Sequence, residues 1–195
     1  MEKLNRKSQG LEKKFPIKVV QFGEGNFLRA FVDYAFQRLN NEVDFNAGIA
    51  MVQPLAGGMV NMINDQDGLY TLFMNGIKKG GKIQDIELIT NVVKGINPYT
   101  DFADYLALAK EPALQFIVSN TTEAGIEFIE SDTPEMQPPT SFPAKLTVLL
   151  HERFKHFNGD AAKALTIIPC ELIDYNSETL KKIILQYCDL WKLGA

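Results

Sequence analysis

A change of hydrophobic period at Gly23 is the first structural signal along the chain. Residues 17–22 (IKVVQF) form a short apolar run that stops at glycine, as a buried parallel strand does. Helical spacing follows, with one apolar face and polar residues on the other faces. The expected apolar face consists of Phe27, Phe31, Tyr34, Ala35 and Leu39, and the other faces carry Arg29, Asp33, Gln37 and Arg38. A second strand over 48–53 ends at Pro54, which completes a strand-helix-strand unit.

The rest of the chain alternates strands and helices around one insertion. Residues 69–74 and 82–89 are strand-like runs separated by a glycine-containing segment, which predicts a β-hairpin. The later elements are a helix over 101–109, a strand over 114–118, a helix capped by Ser141, a buried strand over 164–168 and a helix capped by Ser177. The pattern predicts an α/β fold, a Rossmann-like wound, mostly parallel sheet with an inserted β-hairpin. We expect a single domain over residues 1–195 with a polar leader at 1–15.

Composition and charge narrow the class of protein. The 195 residues carry 24 acidic and 20 basic side chains, a formal net charge of -4, so no broad basic field attracts nucleic acid or anionic lipid. No stretch approaches the roughly 20 apolar residues of a membrane span, and the N-terminus lacks the apolar core of a signal peptide. Cys170 and Cys188 lie outside any disulfide framework or metal-ligand spacing. We therefore expect a cytoplasmic protein without nucleic-acid or membrane partners.

The loop Gly23-Glu24-Gly25 stands where wound folds bind a dinucleotide. The first glycine permits the tight strand-to-helix turn, and the second, lacking a Cβ, lets a pyrophosphate approach the backbone. The N–H groups and positive dipole end of the following helix favour that anion, and Arg29 adds a charge for phosphate or ribose. Leu28 replaces the third glycine of G-x-G-x-x-G, and residues 52–55 offer no acid for the ribose, so these residues leave NAD and NADP both open. A plain turn is the competing interpretation.

Other polar residues are weaker candidates for a site. Asn120, Thr121 and Thr122 follow an apolar strand, whose carboxyl end lines the ligand crevice in a wound sheet, although turn formation explains them too. His151 and His156 lie about 140° apart around a helix, so they do not share one metal. Glu171 and Asp174 stand three residues apart in a strand-end loop, a spacing that fixes no acid-base geometry.

Four sequence blocks in order resemble one family. FGEGNFLRAF at 22–31 resembles the G-x-G-x-F-x-R-A signature of the long-chain mannitol dehydrogenase family, and QDGLYT at 66–71, SNTTEAG at 119–125 and PCELIDYN at 169–176 extend the likeness. The resemblance implies a metal-free site that binds NAD and a substrate. The implied NAD-binding residues are Phe22, Gly23, Glu24, Gly25, Asn26, Phe27, Arg29, Asn120, Thr121 and Thr122, and Asn176 is implied for the substrate. Turn formation beside Ser177 is the alternative for Asn176. Leu172 stands where mannitol dehydrogenases carry an Asn that polarises the reacting oxygen, so that role does not transfer.

The resemblance also implies an activity, the NAD-dependent interconversion of the sugar acid D-altronate and its keto form D-tagaturonate. Family members are longer, and their helical C-terminal domain supplies a catalytic Lys with Asn and His partners in a K-x-x-x-x-N-G-x-H pattern that this sequence lacks. We therefore expect the N-terminal part of such an enzyme, with no catalytic residue of its own, inactive alone, and with an apolar surface that meets the absent domain or a second copy. A related reductase of fructuronate or mannitol, and a stand-alone dinucleotide-binding or redox-sensing module, remain alternatives.

Overall fold

The computed structural model describes residues 4–11, 15–122 and 125–194. The predicted strands, helices and hairpin follow one another in the predicted order, and the structure adds a short helix and a strand that the hydrophobic pattern does not predict. The elements are β1 (Ile17–Phe22), α1 (Asn26–Val43), β2 (Gly48–Val52), α2 (Val60–Asn64), β3 (Tyr70–Lys78), β4 (Gly81–Ile89), β5 (Val92–Ile96), α3 (Phe102–Ala107), β6 (Phe116–Ser119), α4 (Phe142–His156), β7 (Thr166–Pro169) and α5 (Asn176–Leu190). None of the helices in this described part is both long enough and apolar enough to cross a membrane.

A five-stranded parallel sheet in the order β5-β2-β1-β6-β7 forms the centre of the fold. The chain moves outward from β1 to β2 and β5, then returns to place β6 on the other side of β1. The strand order therefore reverses between β1 and β6, and in wound sheets the ligand crevice lies at the carboxyl ends of the strands at such a point. The predicted fold class is confirmed, and β3 and β4 form the predicted hairpin as a separate antiparallel ribbon.

Two apolar cores cover the faces of the sheet. Successive side chains on a strand point to opposite faces. Val20 and Phe22 join a core with α3, α4 and α5, whereas Val19 joins a second core with α1 and the base of the hairpin. The sequence pattern did not predict β5, because Lys94 and Gly95 interrupt its apolar run. Glycine is required at position 95, because α2 packs so closely that an added Cβ would lie 2.9 Å from Val60.

Helix α1 buries a different face from the one that the sequence pattern predicts. The residues facing inward are Leu28, Val32, Asp33, Phe36 and Gln37, while Phe27, Phe31 and Leu39 are 51%, 61% and 41% exposed. The prediction was wrong because both faces carry large apolar residues and it assigned Asp33 and Gln37 to solvent. Both polar residues are buried because they have partners around the hairpin: the Tyr70 hydroxyl lies 2.7 Å from Asp33 Oδ2, and the Thr90 N–H donates to Gln37.

Two further expectations differ from the structure near the C-terminal part of the chain. The strand predicted as buried is the half-exposed β7, because within the described residues it pairs only with β6. Ser141 caps α4, accepting a hydrogen bond from the Ala144 N–H. Ser177 does not cap α5: the helix follows Tyr175 in the left-handed region, and the Ser177 hydroxyl donates to Asn176 Oδ1.

The polar leader is attached to the hairpin base through Arg6. Its guanidinium donates to the carbonyl oxygens of Asp67, Thr90 and Val92. Residues 1–3 and 12–14 of the predicted leader lie outside the described residues.

Candidate functional site

The glycine loop begins at a position where only glycine fits. Gly23 has φ +115°, and an added Cβ would lie 2.8 Å from the carbonyl oxygen of Asn120. Its N–H donates to the Val52 carbonyl oxygen at 3.0 Å, which extends the pairing of β1 with β2. The loop therefore turns between the carboxyl ends of β2 and β6, with no room for a side chain.

Gly25 has the opposite environment. It is the N-cap of α1 with ordinary extended angles, φ -69° and ψ 165°, and no atom lies within 4 Å of an added Cβ. Glycine has no side chain to cap the first-turn N–H groups of this 18-residue helix. Open space and unshielded N–H groups at a positive dipole end are what an anion requires.

Glu24 turns inward from the glycine loop. Its Oε1 accepts a hydrogen bond from the Met59 N–H at 3.2 Å, and burial raises the pKa of the carboxyl group. Glu24 is one of the residues predicted to contact the cofactor, and its side chain lies between the loops after β1 and β2. Its backbone remains part of the loop that faces the crevice.

Gln53 occupies the end of β2, where a ribose-binding acid was expected and not found. It is buried, its amide donates to the carbonyl oxygens of Leu55 and Ala56, and its Oε1 accepts from the Val60 N–H. All of these contacts lie between the end of β2 and the first residue of α2. Gln53 therefore shapes the loop after β2.

Glu171 has a structural role in the site that the sequence did not predict. It is buried in the loop after β7, and its carboxylate accepts hydrogen bonds from the Ser119 hydroxyl at 3.1 Å and from the Thr121 N–H and hydroxyl at 3.0 and 3.1 Å. The Asn120 side chain donates to the Cys170 carbonyl oxygen at 2.7 Å. These bonds join the loops after β6 and β7. The sequence feature that could have indicated this role is an acidic residue in the loop that follows a strand.

Thr122 has a backbone conformation that threonine rarely adopts. Its φ is +90°, and a β-branched side chain makes that region costly. The Gly125 N–H donates to its carbonyl oxygen at 3.0 Å. Strain of this kind collects at binding sites, and Thr122 is exposed in the loop after β6. Glu123 and Ala124 of the same sequence block lie outside the described residues.

The other residues predicted from the first block spread around the loop. The Phe22 side chain is buried in the core against Tyr105 and Phe142, so it supports the loop from below. Phe27 is exposed and packs against Phe31 with ring centroids 5.5 Å apart. Of the two predicted aromatic residues, Phe22 is therefore a core residue and Phe27 a surface residue.

Arg29 lies on the first turn of α1. Its guanidinium donates to Asn26 Oδ1 at 2.6 Å and lies over the Tyr70 ring, 5.5 Å from the centroid. This arrangement keeps a positive charge beside the open helix end, where an anionic phosphate would bind.

Asn176, implied for the substrate, uses its side chain within the chain. Its amide donates to the carbonyl oxygens of Pro169 and Glu171 at 2.9 and 3.1 Å, and its Oδ1 accepts from Ser177. This geometry supports the alternative that Asn176 orders the turn after β7. A contact with substrate rests on the family resemblance alone.

The carboxyl end of the sheet contains a small cleft of about 140 Å³, lined by Pro54 and Leu55 on one side and by Thr121, Thr140 and Ser141 on the other. Larger cavities of 330 and 300 Å³ lie beside α5 and contain none of the predicted site residues. A further cavity of 390 Å³ beside α3 and α4 also contains none of the predicted site residues. We assign the site to the carboxyl end, because the glycine loop, the open helix end and Arg29 lie there.

Comparison with known proteins agrees with this geometry. Residues 17–192 match the family described as the mannitol dehydrogenase Rossmann domain. The chain is 48% identical over 179 residues to the altronate oxidoreductase of Bacteroides thetaiotaomicron and 45% identical over 193 residues to that of Bacillus subtilis. These alignments cover 92% and 99% of this chain but 37% and 40% of the relatives. The chain thus spans about two fifths of their length.

Two solved structures share the fold. The Pseudomonas fluorescens mannitol 2-dehydrogenase, in a ternary complex with NAD and D-mannitol, aligns with a TM-score of 0.75 at 18% identity, over 97% of this chain and 42% of that one. A D-sorbitol dehydrogenase in substrate-free form aligns with a TM-score of 0.75 at 20% identity, over 96% and 43%. At these identities the likeness concerns the fold alone.

Substitution by alanine is expected to lower the stability of the protein at Gly23 but not at Gly25. Gly23→Ala should lower the free energy of unfolding by about 1–3 kcal/mol, because it forces a Cβ against the Asn120 carbonyl at a positive φ. Gly25→Ala should stay within about 0.5 kcal/mol of wild type. Urea denaturation of both variants makes the comparison, and equal losses would contradict the loop geometry.

Proposed function

This chain belongs to the mannitol dehydrogenase family, of which it carries the Rossmann domain, and from that premise we propose that it binds NAD as part of an oxidoreductase interconverting D-altronate and D-tagaturonate. The observation that carries the proposal is the open N-terminus of α1 behind Gly25, at the point where the strand order reverses. The identity of 45–48% to altronate oxidoreductases supports the sugar-acid reaction. We place this activity in the cytoplasm.

The described residues fit a dinucleotide better than a neutral ligand. The first-turn N–H groups behind Gly25 and the Arg29 guanidinium would hold the pyrophosphate, and the loop at Asn120 to Thr122 would face the nicotinamide half. The mannitol 2-dehydrogenase solved with NAD supports NAD as the nucleotide. When bound, NAD supplies the hydride acceptor, and the residues of this domain bind and orient it. Proton transfer falls to a Lys outside this domain, as the family resemblance implies.

The reaction is tested with the full-length protein. We expect it to oxidise NADH with tagaturonate faster than with fructuronate or fructose, and we expect the 195-residue chain to be inactive because its share is binding. Initial rates of absorbance loss measure this. Equal or faster oxidation with fructose would overturn the sugar-acid assignment.

The cofactor site is tested with Gly25→Val. The angles of Gly25 suit valine, so the fold should persist, but the branched side chain would fill the space through which a pyrophosphate approaches. We expect NADH affinity to fall at least about ten-fold, which is roughly 1.4 kcal/mol, in calorimetric titrations. Gly76→Val is the matched control, because Gly76 lies in an exposed strand of the hairpin with ordinary contacts. Unchanged affinity in Gly25→Val would refute the loop assignment.

The carboxyl end of the sheet also presents apolar side chains. Leu172 and Tyr175 in the loop after β7 are 85% and 79% exposed, and Leu55 after β2 and Phe27 in the first turn of α1 are also exposed. Apolar residues clustered on one surface are typical of an interface. We propose that the remainder of a longer protein packs across this end, and that the 195-residue chain alone self-associates through the same residues.

Sedimentation velocity tests the association. We expect a weight-average mass above the 21.9 kDa of one chain that rises with concentration, and a shift toward monomer in the double variant Leu172→Ser and Tyr175→Ser. Ile77→Ser, an equally exposed change on the hairpin, should have no effect. A monomer at all concentrations, or an equal response to Ile77→Ser, would contradict the proposed surface.

A further inference from the structure

A carboxyl group is buried beneath the first turn of α1. Asp33 is fully buried, and its Oδ2 lies 2.7 Å from the Tyr70 hydroxyl. Within the described chain its Oδ1 has no hydrogen-bond partner, and no ion pair joins it to Arg29. A charged carboxylate in such a place is costly unless it is paired and hydrogen-bonded.

A count of protons around Tyr70 indicates the state of this carboxyl group. The Tyr70 hydroxyl oxygen lies 2.7 Å from Asp33 Oδ2 and 2.8 Å from the Arg29 carbonyl oxygen. A carboxylate and a carbonyl are both acceptors, and a hydroxyl has one proton. With Asp33 neutral, its proton goes to Tyr70 and the Tyr70 proton goes to Arg29. With Asp33 ionised, one of the two short contacts has no proton.

The groups packed around Asp33 agree with a neutral acid. Gln21 from β1 and Asn91 before β5 are uncharged, and both have a buried side-chain oxygen that lacks a donor in the described chain. Burial raises the pKa of Asp33 to about 7, although the Tyr70 hydrogen bond, the charge of Arg29 and the nearby Gln21 side chain oppose the rise. The pKa of Tyr70 is raised well above its usual value, chiefly by burial, so Tyr70 keeps its proton.

Arg29 connects this buried group to the phosphate site. It lies one helical turn before Asp33, an i, i+4 spacing that brings the side chains together. Its Nε is buried with no acceptor in the described part of the chain, although its terminal nitrogen reaches Asn26. An anion at Asp33 would supply the acceptor that the Nε lacks.

We propose that Asp33 is a positioning residue for the phosphate-binding turn: as a neutral acid it leaves the Arg29 guanidinium to the ligand, and as an anion it draws Arg29 inward. This inference rests on the proposed dinucleotide site. Because the pKa of Asp33 is about 7, the neutral form prevails below that pH and the anion above it. Affinity for NAD is therefore highest in mildly acidic solution and falls as the pH rises.

Calorimetric titration with NAD at pH 6, 7 and 8 tests the proposal. Wild type should lose affinity several-fold between pH 6 and 8. Asp33→Asn keeps a donor for Tyr70 and carries no charge, so its affinity should stay near the pH 6 value of wild type throughout. His151→Gln should retain the wild-type affinity and pH dependence; it is the control because histidine ordinarily changes charge in this pH range and His151 lies on α4, outside the proposed site. A pH dependence that persists in Asp33→Asn would overturn the proposal.

Two ligand-free measurements separate this inference from the proposed function. The folded pKa of Asp33 exceeds its unfolded value, so its stabilising contribution is complete below the unfolded pKa and is lost as the pH rises through about 7. Urea denaturation should show that loss in wild type and not in Asp33→Asn. Carbon-13 NMR of the wild-type carboxyl groups should show one Asp titrating near pH 7, and a midpoint for Asp33 below 5 would refute the inference even if Asp33→Asn fails to fold. Absence of NAD binding at every pH would instead refute the proposed function.

Discussion

The close approach of Gly23 to the Asn120 carbonyl oxygen is the contact on which the site depends. The strands β1 and β6 are neighbours at the reversal of strand order, so the loops that follow them must pass each other at the same edge of the sheet. At 2.8 Å from an added Cβ, the carbonyl leaves space for hydrogen only. The backbone therefore turns at once into α1, and the N-terminus of that helix opens above the end of the sheet. A wider turn would place the N–H groups elsewhere.

The acidic and amide side chains at this end of the sheet shape the loops. Glu24 joins the loops after β1 and β2, Gln53 organises the loop after β2, and Glu171 joins those after β6 and β7. Their polar atoms bond to nearby backbone and hydroxyl groups. In the proposed site, recognition would depend on backbone N–H groups, on Arg29 and on hydroxyl groups, a combination that suits phosphate. In the proposed arrangement, the buried Asp33 also leaves Arg29 available, because a neutral acid does not compete with phosphate for the guanidinium.

The sequence predicted the features that depend on neighbouring residues. The strand β1, the glycine loop, the start of α1, the hairpin and the cap at Ser141 follow from periodicity and local hydrogen bonding. The inward face of α1 was wrong because two apolar stripes compete, and burial of Asp33 depends on Tyr70 from a distant hairpin. Glu171 acts through Ser119 and Thr121, about fifty residues away, so its role depends on β6 and β7 being neighbours. The spacing of neighbouring residues in the sequence does not indicate such a contact.

We propose that a dinucleotide binds at the carboxyl ends of β1 and β6. The most direct test is to follow the amide chemical shifts of the nitrogen-15-labelled chain as NAD is added. The largest shift changes are expected at Gly25, Asn26 and Thr121, with smaller changes along the rest of the first turn of α1. Changes confined to the apolar cavities beside α5, or no change at saturating NAD, would contradict the proposal.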